Sequence, residues 1–465
     1  MAVLAEVSAP ETVVVYAKRR NVELALLLLA QIAGIAGWYI TYLNQYNRLP
    51  TNWLAGTIAW FALGLAAHIV VRWRIPWADP IILPGIVLLN GLGLSMIARI
   101  DQFSTPPREE AAVQLLWMGL GVALFAAIIV FLRDHRVMER FKYLLFLLGF
   151  TLLMLPLVPG LGVETGGAQI WIRIGGYSMQ PAEFAKVILA FAFAAYLYQQ
   201  KEVLALAGKR FMGIDLPRLR DMAPIMIMWG LSLVILVLQK DLGTSLMFFG
   251  LFVSMLYIAT ERPGWPILGG LLILVGAVAA YYGTTHFKTR VDGWLNPFAN
   301  FDQNEQIIQA QFGMAWGGLL GRGWGLGRPY LTPISKSDFM IASLGEELGT
   351  VGLLAIVLIY AIVITRGFRA ALTCRDGFGK LLAGGLSFVV ALQIFTIVGG
   401  VTRLLPLTGQ NAPFMSQGGS SLVANWAMAA VLLIISHAGR RPQPTAPGPV
   451  EPVIDLVDDQ TRVIA

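Results

Sequence analysis

Ionisable side chains stand inside, or at the ends of, several strongly apolar segments of this chain. Glu183 and Lys186 lie one turn into an apolar run, and Asp241 opens another. Asp338 directly precedes a third run, which carries two adjacent glutamates at 346–347 about two turns further on. A charged side chain at the centre of a membrane-spanning helix costs about 2.5–3.5 kcal/mol on insertion scales, so such groups are candidates for function.

Asp338 is the strongest candidate for chemistry. A carboxylate can remove the proton of a sugar hydroxyl as that oxygen attacks, and Glu346 or Glu347 deeper in the same helix would assist it. The alternative is helix capping, because Ser337 and Asp338 come just before the apolar run. Capping does not account for the two glutamates, since a cap requires no charge two turns into a helix.

Two further sites have both a structural and a functional interpretation. Glu183 and Lys186 are three residues apart on one face of a helix that begins at Pro181, a favoured first-turn residue. The alternative to catalysis there is an intrahelical ion pair, which contributes little when exposed. Asp241 precedes the Gly-Thr-Ser sequence at 243–245, so its alternative is a second helix cap.

Basic residues accompany these carboxylates on the same predicted side of the membrane. Arg173, Lys240 and Arg403 are expected to converge with them on one external cavity. Cations beside carboxylates suit a lipid substrate that carries a pyrophosphate, with or without a bound divalent ion. The sequence requires no cofactor, and it leaves open a divalent cation, Mg²⁺ or Mn²⁺, whose ligands are unknown.

The composition is that of a membrane protein. Of 465 residues, 57% are hydrophobic and 13% are charged, whereas a soluble domain carries roughly 25% charged residues. Most apolar runs approach or exceed the roughly 20 residues that span a bilayer core. About twelve runs predict an all-α polytopic membrane protein; they lie near 21–44, 52–72, 77–98, 112–132, 141–158, 181–199, 222–239, 242–260, 264–283, 339–365, 380–402 and 419–437.

Basic clusters alternate with poorer loops and set the predicted orientation. By the positive-inside rule the Lys- and Arg-rich loops face the cytoplasm, as do both termini, a polar arm at 1–20 and a disordered, proline-rich tail at 439–465. The net charge of +7 then reflects topology and contact with anionic membrane lipids, and no nucleic-acid-binding motif accompanies it. The candidate residues all lie on the external side or in the outer half of the bilayer.

Three stretches are predicted to be extended or irregular. In 169–174 polar or amphipathic residues alternate with isoleucine, which predicts a short extended piece with Trp171 at headgroup level. The long external loop 284–338 has room for a few short helices, and its glycine-rich part, 317–327, is expected to be flexible and to cover a substrate groove. Prolines interrupt 403–421, which predicts a re-entrant segment covered by protein.

Cysteine and histidine usage excludes several kinds of site. The only cysteine is Cys374, so intramolecular disulfides and clusters of thiolate ligands are excluded. The four histidines are scattered, and no zinc site is expected. The glycine-rich run lacks the G-K-[ST] ending of a phosphate-binding loop, so nucleotide binding is not expected either.

Four ordered motifs resemble the signature stretches of the SEDS family, which includes RodA and FtsW. They are GGAQIWIRIGGYSMQPAEFAK (166–186), QKDLGTS (239–245), SDFMIASLGEELGTVG (337–352) and PLTGQNAPFMSQGGSS (406–421). The resemblance extends from about residue 77 to 437, nearly the whole membrane region. It implies a peptidoglycan glycosyltransferase that polymerises lipid II at the outer face of the cytoplasmic membrane.

The resemblance also implies roles for individual residues. Asp338 matches the family's essential external aspartate, and Glu183 with Lys186 matches the pair of its Q-P-x-E-x-x-K stretch; these three are predicted to be catalytic. Arg173 is added to the substrate-binding residues for its charge. The substrate-binding residues are then Trp171, Arg173, Asp241, Glu346, Ser416, Gly418, Gly419 and Ser420, with Glu347 beside Glu346.

The chain also departs from the family pattern. Gln417 stands where tyrosine is usual, Ala412 where leucine or proline is usual, and Lys240 where proline is common. These departures concern details of the groove. Most members have ten helices, so 73–438 is predicted to be the SEDS core and 21–72 a two-helix N-terminal addition, as in actinobacterial members.

The N-terminal addition favours a RodA-type protein for elongation and cell shape over an FtsW-type protein for division. The resemblance implies a class B penicillin-binding protein as the partner that supplies cross-linking, which fits a chain without a soluble transpeptidase domain. The implied reaction is an inverting transfer. In it the GlcNAc 4-hydroxyl of one lipid II, deprotonated by Asp338, attacks MurNAc C1 of the donor chain.

Two functions from other classes stay open on the sequence. Charges within helices and broken segments also occur in transporters, which suggests a lipid II flippase. A structural scaffold without activity is the other alternative. The crowding of polar residues in the outer half, with no matching cluster on the cytoplasmic side, favours the enzyme.

Overall fold

The computed structural model describes residues 17–103, 109–165, 168–201, 210–211, 214–215 and 219–442. Helices form at every position where the sequence has a long apolar run, because backbone in hydrocarbon must satisfy its hydrogen bonds within its own segment. They are α1 (Arg20–Tyr46), α2 (Trp53–Arg74), α3 (Ile82–Asp101), α4 (Glu110–Phe131), α5 (Lys142–Met154), α6 (Pro181–Gln199), α7 (Leu219–Leu238), α8 (Leu242–Thr260), α9 (Gly264–Gly283), the short α10 (Thr285–Leu295) and α11 (Phe301–Gly317), α12 (Met340–Thr373), α13 (Gly377–Val401) and α14 (Gly419–Arg440).

The helices confirm an all-α multi-pass membrane protein. Within the described part of the chain, 11 helices are long and apolar enough to cross a bilayer. The helix α7 forms at the predicted run 222–239 but is not among those 11, so the count of twelve stays a prediction. The predicted arm and tail lie mostly outside the described residues, and the proposed division of the chain at 73 and 438 also stays a prediction.

Burial separates central helices from peripheral ones. In the most apolar part of each helix, 89% of residues are buried in α14 and 72% in α3, α6 and α13. The corresponding fractions are 33% for α1, 28% for α2 and 11% for α9. The first group therefore forms the protein interior, whereas the second presents most of its apolar surface to lipid.

The two N-terminal helices pack against each other and against α3 through a few specific contacts. Gln31 Nε2 donates to the carbonyl of Trp60 at 2.9 Å, and Trp60 Nε1 donates to the carbonyl of Gln31 at 3.0 Å. A Cβ built on Gly34 would lie 2.8 Å from Cα of Gly91, so glycine is required where α1 crosses α3. This close approach anchors α1 on α3.

A three-stranded antiparallel sheet precedes α6. It consists of β1 (Gly162–Thr165), β2 (Ala168–Ile174) and β3 (Tyr177–Met179), with Val163 opposite Trp171 and Ile172 opposite Met179. The predicted extended piece at 169–174 is therefore confirmed. Its depth in the membrane stays a prediction. A second, two-stranded sheet pairs β4 (Arg210–Phe211) with β5 (Ile214–Asp215).

The loop 284–338 contains α10 and α11 together with two 3₁₀ turns at Pro297–Ala299 and Pro329–Leu331, which confirms the expected short helices. The prediction that 317–327 covers a groove is wrong. Arg322 N donates to the carbonyl of Glu346 at 3.0 Å, so this segment packs along the start of α12 instead. Backbone contact at this distance leaves no room for side chains, which accounts for the glycines.

The stretch between α13 and α14 contains no helix, as predicted for 403–421 up to the start of α14 at Gly419. Phe414 and Met415 are buried among the helices. Tyr360 Oη donates to the carbonyl of Pro413 at 2.6 Å, which satisfies a backbone acceptor that the break exposes. The irregular backbone is thus enclosed by protein.

Candidate functional site

A cavity of about 770 Å³ is lined by six of the eleven residues predicted to be catalytic or substrate-binding. Its walls come from the three-stranded sheet, the first turns of α6 and α8, the loop 284–338 and the broken stretch between α13 and α14. Ligand pockets commonly have volumes of about 300–1,000 Å³. The predicted site residues that line the cavity are Trp171, Glu183, Asp241, Asp338, Gly418 and Gly419.

Asp338 faces this cavity and does not cap a helix. The N-cap of α12 is Phe339, and no side chain makes a cap hydrogen bond there, so the capping interpretation of Asp338 is wrong. Burial raises the pKa of the Asp338 carboxyl above its ordinary value, while a hydrogen bond with Ser337 and the charge of Arg290 act in the opposite direction. A carboxylate with a raised pKa is a stronger base.

The backbone around Asp338 is held by the segment before α14. Ser416 Oγ donates to the carbonyl of Ser337 at 2.6 Å, and Gln417 N donates to the carbonyl of Lys336 at 2.8 Å. Ser416 Oγ also accepts from Ala412 N at 3.0 Å. Ser416, which was predicted to bind substrate, does not line the cavity. Its hydrogen bonds instead fix the position of the backbone beside Asp338.

Asp241 serves as a helix cap and also lines the cavity. Its Oδ1 accepts from Thr244 N at 2.9 Å, which confirms the capping interpretation. Its Oδ2 is buried and has no hydrogen-bond partner among the described residues. Burial raises the pKa of this carboxyl, so one oxygen of Asp241 remains available to a ligand.

Among the described residues, Arg290 on α10 is the basic residue that lines the cavity, and no motif in the sequence singled it out. Its Nη1 donates to the carbonyl of Leu407 at 3.1 Å. Burial lowers the pKa of the Arg290 guanidinium, and the charges of Asp241 and Asp338 act against this. A Cβ on Gly409, whose φ is +67°, would lie 3.5 Å from both Arg290 Nη2 and Asp338 Oδ2, so glycine keeps the space beside them open.

Glu183 and Lys186 form the predicted ion pair. Lys186 Nζ lies 2.6 Å from Glu183 Oε2, and the two side chains are only 8% and 12% exposed, respectively. Lys186 also donates to Gln393 Oε1 at 3.4 Å. Glu183 lines the cavity and Lys186 does not, so the lysine holds the glutamate from behind.

The three cations expected in the cavity do not line it. Arg173 is exposed on β2, and Lys240 is exposed beside the start of α8. Arg403 Nη2 donates to the carbonyl of Trp294 at 2.8 Å, which ties the segment after α13 to α10. Positive charge thus reaches the cavity from Arg290.

Glu346 and Glu347 do not line the cavity either. Glu346 Oε1 accepts from Arg328 N at 2.5 Å. Glu347 Oε1 accepts from Arg99 Nε at 3.0 Å, while its Oε2 accepts from Gly325 N at 2.9 Å. Both glutamates therefore anchor the glycine-rich segment on α12.

Aromatic and amide side chains complete the cavity wall. Trp117 on α4 lies so close to Gly419 that a Cβ there would meet the indole ring at 2.3 Å, so the glycine is needed for packing. Gln180 N donates to Ser420 Oγ at 3.1 Å, which fixes the start of α6 against α14. Residues of the wall that the sequence analysis missed are Glu110, Gln114, Trp117, Arg290, Trp294, Gln303, Asn304, Gln410 and Asn411.

The described part of the chain contains one group of three potential metal ligands, His135, Cys374 and Asp376. It lies at the far end of α12, and its ligand atoms are within 4.8 Å of one another. Asp376 Oδ2 contacts His135 Nε2 at 3.0 Å and accepts from Cys374 Sγ at 3.1 Å. Burial, followed by the hydrogen bond with Asp376, raises the pKa of the Cys374 thiol to about 12, so the thiol keeps its proton and donates a hydrogen bond to Asp376. The three side chains therefore form a hydrogen-bond network. A divalent ion in the cavity would need oxygens from its ligand.

The comparisons with known proteins agree with this architecture. The model of the FtsW/RodA/SpoVE cell cycle protein family matches residues 80–441. The peptidoglycan glycosyltransferase RodA of Mycobacterium tuberculosis is 44% identical over 441 residues, 94% of this chain and 94% of that protein.

Solved structures show the same fold. The rod shape determining protein RodA of Thermus thermophilus has a TM-score of 0.57 at 22% identity, over 80% of this chain and 100% of that one. A chain of a peptidoglycan synthase complex that coordinates polymerization and crosslinking has a TM-score of 0.64 at 24% identity, over 78% and 99% of the two chains. With the family model matching most of its length, this chain belongs to the FtsW/RodA/SpoVE family.

Proposed function

We propose that this membrane protein is a RodA-type peptidoglycan glycosyltransferase that polymerises lipid II into glycan strands for cell elongation. The observation that carries the proposal is a single cavity in which the carboxylates of Asp338 and Asp241 share one cation, Arg290. Such a set provides a base for a hydroxyl and positive charge for a leaving phosphate. The 44% identity to a protein named RodA supports the elongation type over the division type.

The proposed reaction is an inverting displacement. The Asp338 carboxylate accepts the proton of the GlcNAc 4-hydroxyl as that oxygen forms a bond to MurNAc C1 of the donor. The bond between C1 and the pyrophosphate oxygen breaks, and undecaprenyl pyrophosphate leaves with the electron pair. Arg290 stabilises the charge that develops on the pyrophosphate.

Neighbouring residues would hold the substrates in place. The free oxygen of Asp241 and the carboxylate of Glu183 are acceptors for sugar hydroxyls, and Lys186 holds Glu183 in its orientation. Trp171 offers a flat apolar face from β2. Holding two reactants in a fixed geometry contributes much of the rate enhancement in transfers of this kind.

We place the cavity at the outer face of the cytoplasmic membrane, with both termini in the cytoplasm. The basic clusters of 133–142 and 366–380 lie at the helix ends far from the cavity, which supports this orientation. A class B penicillin-binding protein is the proposed cross-linking partner. The similar chain from a synthase complex that coordinates polymerization and crosslinking supports that assignment.

The decisive variant is Asp338→Asn, which keeps the shape of the side chain and removes the base. We expect polymerisation of purified lipid II, followed by gel analysis of the glycan product, to fall by about 10²-fold or more. The thermal unfolding curve should stay close to that of the unchanged protein.

Asp302→Asn is the matched control, because Asp302 is exposed on α11 and does not line the cavity. Near-normal glycan output from Asp338→Asn would rule out the assigned base. Transfer of labelled lipid II across liposome membranes without polymer formation would instead identify a flippase.

A further inference from the structure

A second cavity, of about 410 Å³, lies between the N-terminal helices and the core. Residues of α1 and α2 form one side, and residues of α3 and α4 form the other. The family match begins at residue 80, so α1 and α2 lie outside the matched range. Nothing in the proposed reaction uses this cavity.

The lining of the second cavity is apolar and rich in small residues along the helices, and polar residues lie at the helix ends, namely Tyr42, Thr51, Asn52, Asp101, Gln102 and Glu109. Aromatic and aliphatic side chains such as Trp38, Trp60 and Leu115 alternate with glycines and alanines. The apolar part of the lining belongs to membrane-spanning helices, where a hydrocarbon chain is a better occupant than water, because water needs polar partners. A site for a lipid tail follows from this composition.

Hydrogen bonds between helices hold the walls in place. Ser95 Oγ donates to the carbonyl of Gly34 at 2.5 Å, which links α3 to α1. The reciprocal bonds between Gln31 and Trp60 link α1 to α2, and Trp60 is only 2% exposed. The cavity is therefore preformed and does not depend on mobile side chains.

The charges at the helix ends restrict the kind of lipid. Glu109, just before α4, and Asp101, at the end of α3 and paired with Lys336, line the cavity. No lysine or arginine among the described residues lines it. A glycerophospholipid carries its phosphate close to its acyl chains, so its headgroup would be placed beside carboxylates. A polyprenyl chain is long enough to keep its pyrophosphate at a distant cation.

Helix α4 is a wall shared by the two cavities. Glu110, Gln114 and Trp117 line the first cavity, whereas Ala112 and Leu115 line the second. Neighbouring positions on a helix point to different faces, so the first two turns of α4 contribute side chains to both cavities. A lipid whose pyrophosphate lies in the first cavity near Arg290 therefore has the second cavity within reach of its tail.

We propose that the second cavity binds part of the polyprenyl tail of a lipid-linked pyrophosphate, either the substrate or the leaving product. The proposal rests on the proposed function, since that function places the pyrophosphate in the first cavity. It gives the two N-terminal helices a role in holding the tail. The occupant is the polyprenyl chain and not a bilayer phospholipid.

The test labels introduced cysteines, which is simple here because Cys374 is the chain's single cysteine and can be replaced. With Cys374→Ser as background, Ala112→Cys places a thiol on the wall of the second cavity, and Leu120→Cys places one on the same helix where the side chain is 52% exposed and lines neither cavity. The full-length protein is placed in phosphatidylglycerol nanodiscs. Alkylation by a membrane-permeant maleimide is then followed by mass spectrometry with and without undecaprenyl pyrophosphate.

We expect undecaprenyl pyrophosphate at roughly ten times its Kd to slow alkylation of Ala112→Cys about tenfold, because only unoccupied protein reacts. Alkylation of Leu120→Cys should not change. Equal protection by additional phosphatidylglycerol would show a bilayer lipid in the cavity, and absence of protection would show that no tail binds there; either result overturns the proposal.

A second probe position guards against a variant that does not fold. Ala98→Cys lies on the α3 side of the same cavity and should be protected in the same way. The alkylation assay involves no turnover, so it is unaffected by adding Asp338→Asn. Loss of the proposed function in the polymerisation assay is thereby separated from loss of tail binding.

Discussion

Asp338 is surrounded by groups that act on its pKa in opposite directions. Burial raises the pKa, whereas the hydrogen bond with Ser337 and the charge of Arg290 lower it. The balance leaves the pKa above the ordinary carboxyl value, which would make Asp338 a stronger base in the proposed reaction. Arg290 is the charged partner among these groups, so it offers a direct test of the electrostatics.

Removing that charge should move the pH profile. In Arg290→Met the pKa of Asp338 rises further, and because only the deprotonated carboxylate accepts a proton, the acid limb of kcat/KM shifts to higher pH. The direction follows because the positive charge of Arg290 favours the ionised form of the Asp338 carboxyl, and its removal takes that effect away. Initial rates of lipid II polymerisation over the acid range measure the shift.

Two variants control for this experiment. Arg290→Lys keeps a positive charge and should leave the acid limb nearly in place. Arg322→Met removes a guanidinium that lies on the ring of Trp316, 3.7 Å from its centroid, and does not line the cavity. An acid limb that stays fixed in Arg290→Met would show that Arg290 does not act on the base.

Lys336 determines the position of Asp338 through contacts that are distant in sequence. Its Nζ lies 2.5 Å from Asp101 Oδ1 and 2.6 Å from Glu110 Oε2. Its carbonyl accepts from Gln417 N at 2.8 Å. The backbone two residues before Asp338, the proposed base, is therefore tied to α3, α4 and the segment before α14.

Lys336→Met should lower kcat for lipid II polymerisation by about 10-fold to 10²-fold, because misplacement of a reacting group by about 1 Å has costs of that order. KM should change little, since the substrate contacts remain. Lys336→Arg should restore part of the rate by keeping both ion pairs. A variant with normal kcat and a raised KM would show instead that Lys336 binds substrate.

The site residues that could be predicted from the sequence interact with neighbours within one helical turn, whereas those that could not be predicted interact with residues far away in the sequence. Glu183, Lys186 and Asp241 act within one helical turn, so their spacing predicted their pairing or capping. Arg290 acts on Asp241 and Asp338, each almost 50 residues away, and Lys336 pairs with Asp101, 235 residues away. No local pattern separates them from other basic residues of the loop 284–338.

At the level of elements, the glycine-rich segment 317–327 stabilises an interruption within α12. Gly349 has a φ of +68° inside α12 and interrupts its helical backbone. Thr350 N donates to the carbonyl of Gly318 at 3.0 Å across this interruption. The segment 317–327 thus replaces the helix's own hydrogen bonds at the kink, and the glycines allow the contact.

Gly321→Ala tests this packing. Gly321 has a φ of +83°, and a Cβ there would lie 2.2 Å from the carbonyl oxygen of Glu347. The strain and the clash should destabilise the protein by about 2 kcal/mol or more. The fall in the midpoint of thermal unfolding, followed by tryptophan fluorescence in nanodiscs, measures the effect.

Gly270→Ala is the matched control, because Gly270 is within α9 and has open space around it. Alanine there should stabilise slightly, by up to about 1 kcal/mol, since it restricts the unfolded chain and favours a helix. Opposite signs for the two substitutions are expected. Equal and small effects would show that the glycine-rich segment does not pack on α12 as described.

The sequence predicted elements well where bilayer physics dominates. Every long apolar run became a helix, because the membrane permits few other structures. The packing of 317–327 was not predictable, since glycines are compatible with mobility and with close backbone contact alike. The choice between mobility and close contact is decided by the backbone of α12 at 346–350, which the segment contacts.

At the scale of the whole molecule, the N-terminal helices are attached to the core by buried charges. Arg20 hydrogen-bonds Glu23 and the carbonyl of Ala78, and Glu23 Oε1 lies 2.7 Å from His68 Nδ1. The side chain of Glu23 has no exposed surface. This cluster joins α1, α2 and the segment before α3, while the second cavity separates the same helices further along.

Glu23→Ala should therefore loosen the N-terminal helices from the core. Removing one member of a buried ion pair costs about 3–5 kcal/mol, because Arg20 loses the carboxylate beside it and His68 Nδ1 loses its partner. We expect a lower thermal midpoint and faster proteolysis in the 47–52 connection between α1 and α2, followed by mass spectrometry of the fragments. Glu305→Ala, at an exposed position of α11, should change neither. If Glu23→Ala kept the normal midpoint and cleavage rate, the Gln31–Trp60 and Gly34 contacts would have to attach α1 and α2 to the core without the charged cluster. The proposed polyprenyl site between these helices would then not depend on that cluster.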